Sequence, residues 1–135
     1  MKRLLLLFTL TLKSFAVEVE SMTLEEKIGQ LFMVFFWGDH LSEPTKKLFE
    51  EKKIGNVFYL AWANKLESPD QVGKLSEEVS NVIFNAVKIL PLIAVDQEGG
   101  GVCRLEKGFT HFPSSRSLFQ TKEIELARKM GHAIG

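Results

Sequence analysis

The chain has 135 residues, 45% hydrophobic and 25% charged, the balance of a globular domain rather than a disordered segment. Its 17 basic residues against 17 acidic ones lack the basic surplus of a nucleic-acid binder, so no nucleic-acid partner is expected. The single cysteine, Cys103, excludes an intramolecular disulfide, and His40, His111 and His132 have no metal-ligand spacing, so neither a metal nor a cofactor is expected.

Lys2 and Arg3 precede an apolar run from Leu4 to Leu12, interrupted by Thr9 and Thr11, and Ser14-Phe15-Ala16 follows. Basic, apolar, then small-x-small is the order of a secretory signal peptide, here residues 1–16 with cleavage after Ala16. The run is too short for a stable membrane span, which needs roughly 20 residues. Lys13 lies unusually close to the cleavage site. Cleavage removes Lys2, Arg3 and Lys13 and no acid, leaving a net charge of −3 on a mature chain, secreted or periplasmic, that starts at Val17.

Thr23-Leu24-Glu25-Glu26 forms a capping box, and Leu24, Ile28 and Leu31 repeat at helical spacing, predicting a short helix. Leu31 to Phe36 is a continuous apolar run, the pattern of a strand buried on both faces, and Gly38-Asp39 ends it. Pro44 opens a second helix through about Lys53, and Ile54 to Leu60 is a second strand. Ser68-Pro69-Asp70 starts a long helix, in which Val72, Leu75, Val79, Val82, Ile83, Ala86 and Val87 carry the 3.6-residue period, and Pro91 stops it. Leu92 to Val95 is a third apolar strand, with Asp96 to Gly101 as its exit loop. Phe112-Pro113-Ser114-Ser115 is a break, and Glu123 to Ile134 is an amphipathic helix with Ile124, Ala127, Met130 and Ile134 on one face. Alternating helices and apolar strands predict an α/β fold with a parallel sheet. Periodicity leaves an open doubly wound sheet and part of an eight-stranded barrel as alternatives. The chain has no internal repeat, no low-complexity tract and no linker to a second domain.

Chemistry concentrates in Pro91 to Arg104, where polar groups follow the third strand, the place where α/β folds hold ligands. Asp96 offers a carboxylate to neighbouring hydroxyls, and Arg104 offers a planar fork of donors to sugar oxygens or a carboxylate. Gly99, Gly100 and Gly101 allow a tight turn and close approach to a ligand. The loop has neither the GxxxxGK[ST] pattern nor the GxGxxG spacing of phosphate sites. A structural pairing of Asp96 or Glu98 with Arg104 is the plain alternative. Asp96 and Glu98 do not read as a glycosidase acid and nucleophile, because residues two apart on one loop do not bracket a sugar ring. Trp37 and Trp62 follow the first and second strands, where stacking on a sugar and ordinary packing are equally compatible with the sequence. His111 and His132 have no catalytic partners and read as surface or packing residues.

Met22-Thr23-Leu24-Glu25-Glu26-Lys27-Ile28-Gly29-Gln30-Leu31-Phe32-Met33 resembles the opening of family 3 glycoside hydrolases. Pro91 to Arg104 resembles their "PLLIAVDQEGGRVQR" segment, and Gly108 to Ser114 their "GFTxFPS". The three motifs, in order, point to the β-N-acetylhexosaminidase (β-N-acetylglucosaminidase) branch. The resemblance implies the N-terminal portion, about three βα units, of a TIM (β/α)8 barrel, with residues 17–135 as a partial family 3 N-terminal domain. It also implies removal of terminal N-acetylglucosamine from peptidoglycan fragments or chitin-type oligosaccharides, with an N-acetylglucosamine-containing glycan as partner. By position, Asp96 and Arg104 match residues that hold the sugar in the cleavage subsite, while Gln97, Glu98, Gly99 and Gly100 shape the loop. Gly101 stands where the family has arginine and Cys103 where it has glutamine. The first strand ends Phe35-Phe36-Trp37-Gly38, where a glycine usually precedes the phenylalanine.

The family's retaining mechanism uses a late aspartate nucleophile and an Asp–His pair on a "KHFPGHGD" loop. Neither has a counterpart here, so no catalytic residue is assigned and both groups are expected beyond Gly135. Three strands, where closure needs eight, would leave open edges and apolar faces. A glycosidase fragment inactive alone and a non-catalytic remnant or sugar-binding partner module are the two functional readings. The coding DNA past Gly135 discriminates between them.

Overall fold

The computed structural model describes residues 19–134; the leader segment expected at residues 1–16 lies outside them. A 3-10 turn at Val19–Ser21 leads into α1 (Leu24–Gln30). Its capping box is formed as read from sequence: the Glu26 N–H donates to Thr23 Oγ1 at 3.2 Å, and the Thr23 N–H donates to Glu26 Oε2 at 2.8 Å. The bond from the Thr23 N–H, helped by the Thr23 side chain, holds the Glu26 carboxyl below its usual range. The chain continues through β1 (Met33–Val34), α2 (Glu43–Lys52), β2 (Asn56–Tyr59), α3 (Ala61–Asn64), α4 (Pro69–Val87) and β3 (Leu92–Val95). A small hairpin, β4 (Gln97–Gly99) and β5 (Val102–Cys103), precedes α5 (Ser115–Thr121) and α6 (Ile124–Ile134). Both α2 and α4 begin at a serine cap followed by proline in the first turn. The first two strands are shorter than their apolar runs, while the third spans Leu92–Val95 as expected. Leu31 and Phe32 finish the last turn of α1, and the Ile54 N–H closes the end of α2 by donating to the Phe49 carbonyl. Helices α3 and α5 had no distinct apolar period and are additions to the sequence reading.

Strands β1, β2 and β3 form a parallel sheet in sequential order, with Val34 paired to Val57 and Val57 to Ile93. Each crossover moves on to the next position without reversing, as barrel closure requires. Val57 and Tyr59 point into a core shared with Phe36, Phe49, Leu75, Val79 and Ile83, and Val34, Ile93 and Val95 pack against it. Leu75, Val79, Ile83 and Val87 are the buried stripe of α4, spaced four residues apart. Burying each such side chain contributes on the order of 1.5–3 kcal/mol. Glu78 braces this layer from its edge, accepting from the Leu41 N–H at 3.0 Å and pairing with Lys46 Nζ at 3.2 Å. Partial burial alone would raise the Glu78 pKa, but those two partners outweigh it and hold the carboxyl below its ordinary value.

The expectation of strands buried on both faces is corrected. The alternate residues Met33, Phe35 and Leu92 are exposed and Phe58 and Ala94 half-buried, because α2 and α4 pack on the opposite side. In a closed barrel the face that carries these residues is the interior one. The apolar side of α6 is open too, with Ile124 and Ile134 both exposed.

Two asparagines bind the strands together at opposite ends. Asn56 Nδ2 donates to the Gln30 carbonyl at 2.8 Å and the Phe32 carbonyl at 3.3 Å, while its Oδ1 accepts from the Leu92 N–H at 3.1 Å. Asn64 is fully buried; its Nδ2 donates to the Phe36 carbonyl at 3.0 Å and the Gly38 carbonyl at 3.2 Å, and its Oδ1 accepts from the Leu60 N–H at 2.9 Å. Truncating Asn64 leaves three backbone groups without these partners. Asn64→Ala is therefore expected to lower unfolding stability by about 3 kcal/mol, against less than about 0.5 kcal/mol for exposed Asn81→Ala. Urea denaturation followed by circular dichroism measures both, and equal midpoints would show that the Asn64 bonds do not hold the fold.

Candidate functional site

Because the sheet is parallel, the C-terminal ends of all three strands lie on one rim. Tyr59 pairs with Val95, so Leu60 stands level with Asp96. Carrying the β1–β2 register three residues past its last pair brings Trp37 level with Leu60 as well. Asp96 continues the alternation of Leu92 and Ala94, which assigns it to the uncovered face of the sheet.

The segment read from sequence as an exit loop is instead an arm and turn of the β4–β5 hairpin. Gln97 pairs with Cys103 and Gly99 with Val102, with an irregularity between Gln97 and Gly99. One residue outside the Gln97–Cys103 pair, Asp96 and Arg104 stand across the mouth of the hairpin. The Gln97 amide organises this mouth. Its Oε1 accepts from the Arg104 N–H at 2.9 Å and the Leu105 N–H at 3.0 Å, and its Nε2 donates to the Leu105 carbonyl at 3.1 Å and to Cys103 Sγ at 3.2 Å. The Cys103 thiol is half-buried and donates to the Leu105 carbonyl at 3.4 Å.

Asp96 and Arg104 are half-buried and Glu98 is exposed. Among the described residues, none of these three side chains makes a hydrogen bond or an ion pair. The plain alternative, an internal bridge to Arg104, is therefore not formed. Arg104 lines a cleft of about 660 Å³ whose walls also include Lys65, Glu67 and Lys107. Asp96 at the end of β3 and Arg104 on the cleft thus keep their charges without neutralising each other, which suits a ligand rich in hydroxyls.

The turn is tied to the later Phe112-Pro113-Ser114 segment. The Gly100 N–H donates to the Phe112 carbonyl at 2.9 Å. Gly99 and Gly100 have φ of +82° and +61°; a Cβ on Gly99 would collide with the Pro113 carbonyl, and one on Gly100 would lie 2.6 Å from Ser114 Cβ. Gly101 faces open space, so a side chain fits there.

Trp37 and Trp62 stand on the same rim, 65% and 63% exposed. His111 and His132 are exposed, and His111 directly precedes Phe112, whose carbonyl accepts from the Gly100 N–H. His40, in the loop after β1, has its Nδ1 2.7 Å from Asp39 Oδ1, a contact that holds the Asp39 carboxyl below its usual range. Asn64, which fixes the ends of β1 and β2, went unread in the sequence because nothing local separates it from a surface asparagine. Among the described residues no group of three or more His, Cys, Asp or Glu is placed to hold a metal ion, and no helix is long and apolar enough to cross a membrane.

Sequential parallel βα units with polar residues gathered at the strand C-termini define the N-terminal portion of a TIM-type barrel. Residues 23–135 match the model of the glycosyl hydrolase family 3 N terminal domain, and the chain belongs to that family. It is 33% identical over 104 residues to a beta-hexosaminidase of Nitrosomonas eutropha (strain DSM 101675 / C91 / Nm57), a match covering 72% of this chain and 28% of that protein. A family 3 beta-N-acetylglucosaminidase from Paenibacillus sp. str. FPU-7 has a similar structure, with a TM-score of 0.77 and 39% identity over 85% of this chain and 22% of that one. NagZ from Neisseria gonorrhoeae, solved in complex with N-trifluoroacetyl-D-glucosamine, matches with a TM-score of 0.56 and 27% identity over 65% of this chain and 24% of that one. The chain spans about 28% of the length of the curated relatives it matches.

The glycine contacts make a direct prediction. Gly99→Ala is expected to cost more than about 2 kcal/mol of stability, whereas Gly101→Ala should stay within about 0.5 kcal/mol. Denaturant midpoints of the two variants measure the contrast. Equal losses would mean that the turn does not rest on the Phe112–Ser114 segment.

Proposed function

We propose that this chain supplies the sugar-holding rim of a family 3 glycosidase acting on terminal N-acetylglucosamine in peptidoglycan fragments or chitin-type oligosaccharides. The observation that carries the reading is the Asp96 carboxylate at the end of β3, unpartnered among the described residues and opposite Arg104 across the hairpin mouth. The relatives, a beta-hexosaminidase and a beta-N-acetylglucosaminidase, support the same class of substrate. Asp96 accepts from the sugar hydroxyls, Arg104 donates to its oxygens, and Gln97 holds the backbone that carries Arg104.

Holding a sugar is not cleaving it. Retaining hydrolysis needs one group to attack the anomeric carbon and a second to protonate the leaving oxygen. Asp96 and Glu98 share one strand end and approach from the same side. The chain alone is therefore read as binding without turnover.

Asp96→Ala should weaken N-acetylglucosamine binding at least about tenfold, since a hydrogen bond to a charged group contributes about 1.5–3 kcal/mol. Arg104→Ala should act in the same direction. Titration calorimetry reads the binding, and a chromogenic N-acetylglucosaminide incubated with the same samples across about pH 5–8 reads hydrolysis. Unchanged affinity in Asp96→Ala removes that residue from the site. Turnover that disappears in Glu98→Gln would show a complete catalytic pair on this loop and overturn the binding-only reading.

Export is part of the same proposal, motivated by the basic, apolar and small-residue order of residues 1–16. The chain isolated from its native cell should begin at Val17 by mass spectrometry. Protein beginning at Met1 in the soluble cytoplasmic fraction would refute export.

A further inference from the structure

The exposed aromatic side chains on the rim form one cluster. The Phe35 and Trp62 ring centroids are 5.5 Å apart at 64°, those of Trp37 and Trp62 are 5.0 Å apart at 63°, and those of Phe35 and Trp37 are 6.3 Å apart at 68°. All three contacts are edge-on. Such contacts hold the rings in place while leaving ring surface free, and both indoles remain more than half exposed. The cluster stands where the strands end, on the rim of the uncovered face that also carries Asp96.

The backbone beneath the indoles is fixed on both sides. Asn64 bonds the carbonyls of Phe36 and Gly38, which flank Trp37, and the Gly38 N–H donates to the Ala63 carbonyl, next to Trp62, at 2.9 Å. A rigid aromatic surface loses little freedom when a ligand docks, which favours binding. Its position relates it to Asp96. Trp37 stands two strands from Asp96, about 10 Å at ordinary sheet spacing, and Trp62 follows the strand between them. That span leaves room for a second sugar ring beside one held at Asp96. A pyranose presents C–H groups on its faces and hydroxyls around its rim. Indole rings match the faces, and the indole N–H is a donor to the hydroxyls or to an acetamido carbonyl.

We propose that Trp37 and Trp62, braced by Phe35, are a stacking platform for the second ring of an N-acetylglucosamine oligosaccharide whose first ring sits at Asp96. The proposal rests on the sugar-site reading given above and extends it from a monosaccharide to an oligosaccharide ligand.

The chain contains two tryptophans, and both are in the platform, so tryptophan emission reports on this surface alone. N-acetylglucosamine and its β-1,4-linked trimer are titrated into the full chain, with calorimetry for affinity and emission for contact. The trimer should bind about tenfold more tightly than the monosaccharide and shift the emission to shorter wavelength. Trp37→Ala and Trp62→Ala should each bring the ratio of the two affinities close to one. Trp62→Tyr, which keeps a ring, should retain part of the ratio, and circular dichroism checks that each variant is folded. A ratio maintained in both alanine variants, or trimer binding without an emission change in the wild type, overturns the platform and leaves the Asp96 site standing. Affinities for both sugars that survive Asp96→Ala overturn the sugar-site reading instead, and a chain that binds neither sugar overturns both.

Discussion

The buried amide of Asn64 joins the ends of β1 and β2 beyond the last pair of their ladder. A carboxamide removed from water costs free energy unless its donors and acceptor are used, and here both donors and the oxygen are bonded to backbone. The same three bonds satisfy carbonyls and an N–H at the ends of β1 and β2, where the sheet ladder has stopped. Asn56 does the equivalent work at the other end of the sheet, spanning β1 and β3. Side-chain amides thus complete short ladders, and the rim that carries Trp37 and Trp62 inherits its geometry from one of them.

A second constraint is that every described helix packed on the core lies on one side of the sheet. Val57 and Tyr59 reach the helices, while Met33, Phe35 and Leu92 face outward. The polar end of β3 belongs to this uncovered face, so the candidate site looks into the space that a barrel encloses. The position of Asp96 and the open apolar surface are consequences of one strand parity rather than separate features.

The hairpin shows how two sequence motifs become one object. Gly99 and Gly100 need positive φ and also need the space that a Cβ would occupy, because the Phe112–Ser114 segment lies directly against them. Gln97 replaces missing ladder bonds at the hairpin mouth and thereby holds the backbone of Arg104 next to that of Asp96. The DQEGG core and the later FPS turn are therefore mechanically coupled, although neither contacts the other in the chain. Gly101 escapes this coupling, which is why a side chain fits there and why its departure from the family pattern leaves the turn intact.

By itself, the sequence determined the elements with strong local signals. The capping box at Thr23, Pro44 in the first turn of α2, the Ser68-Pro69 start of α4, and the stripe through Leu75, Val79, Ile83 and Val87 are local signals within a few residues, so the chain order displays them. The motif around Asp96 likewise marked the candidate site, and its resemblance chose a barrel where periodicity had left two architectures open. The tertiary structure alone decided which face of each strand is covered, since alternation cannot show on which side the helices pack. It also decided that Gln97 and Asn64 are organising groups, and that the aromatic residues after β1 and β2 form one cluster. These depend on contacts between segments far apart in the chain, set by parallel pairing and close packing, and no local pattern of residue types encodes them.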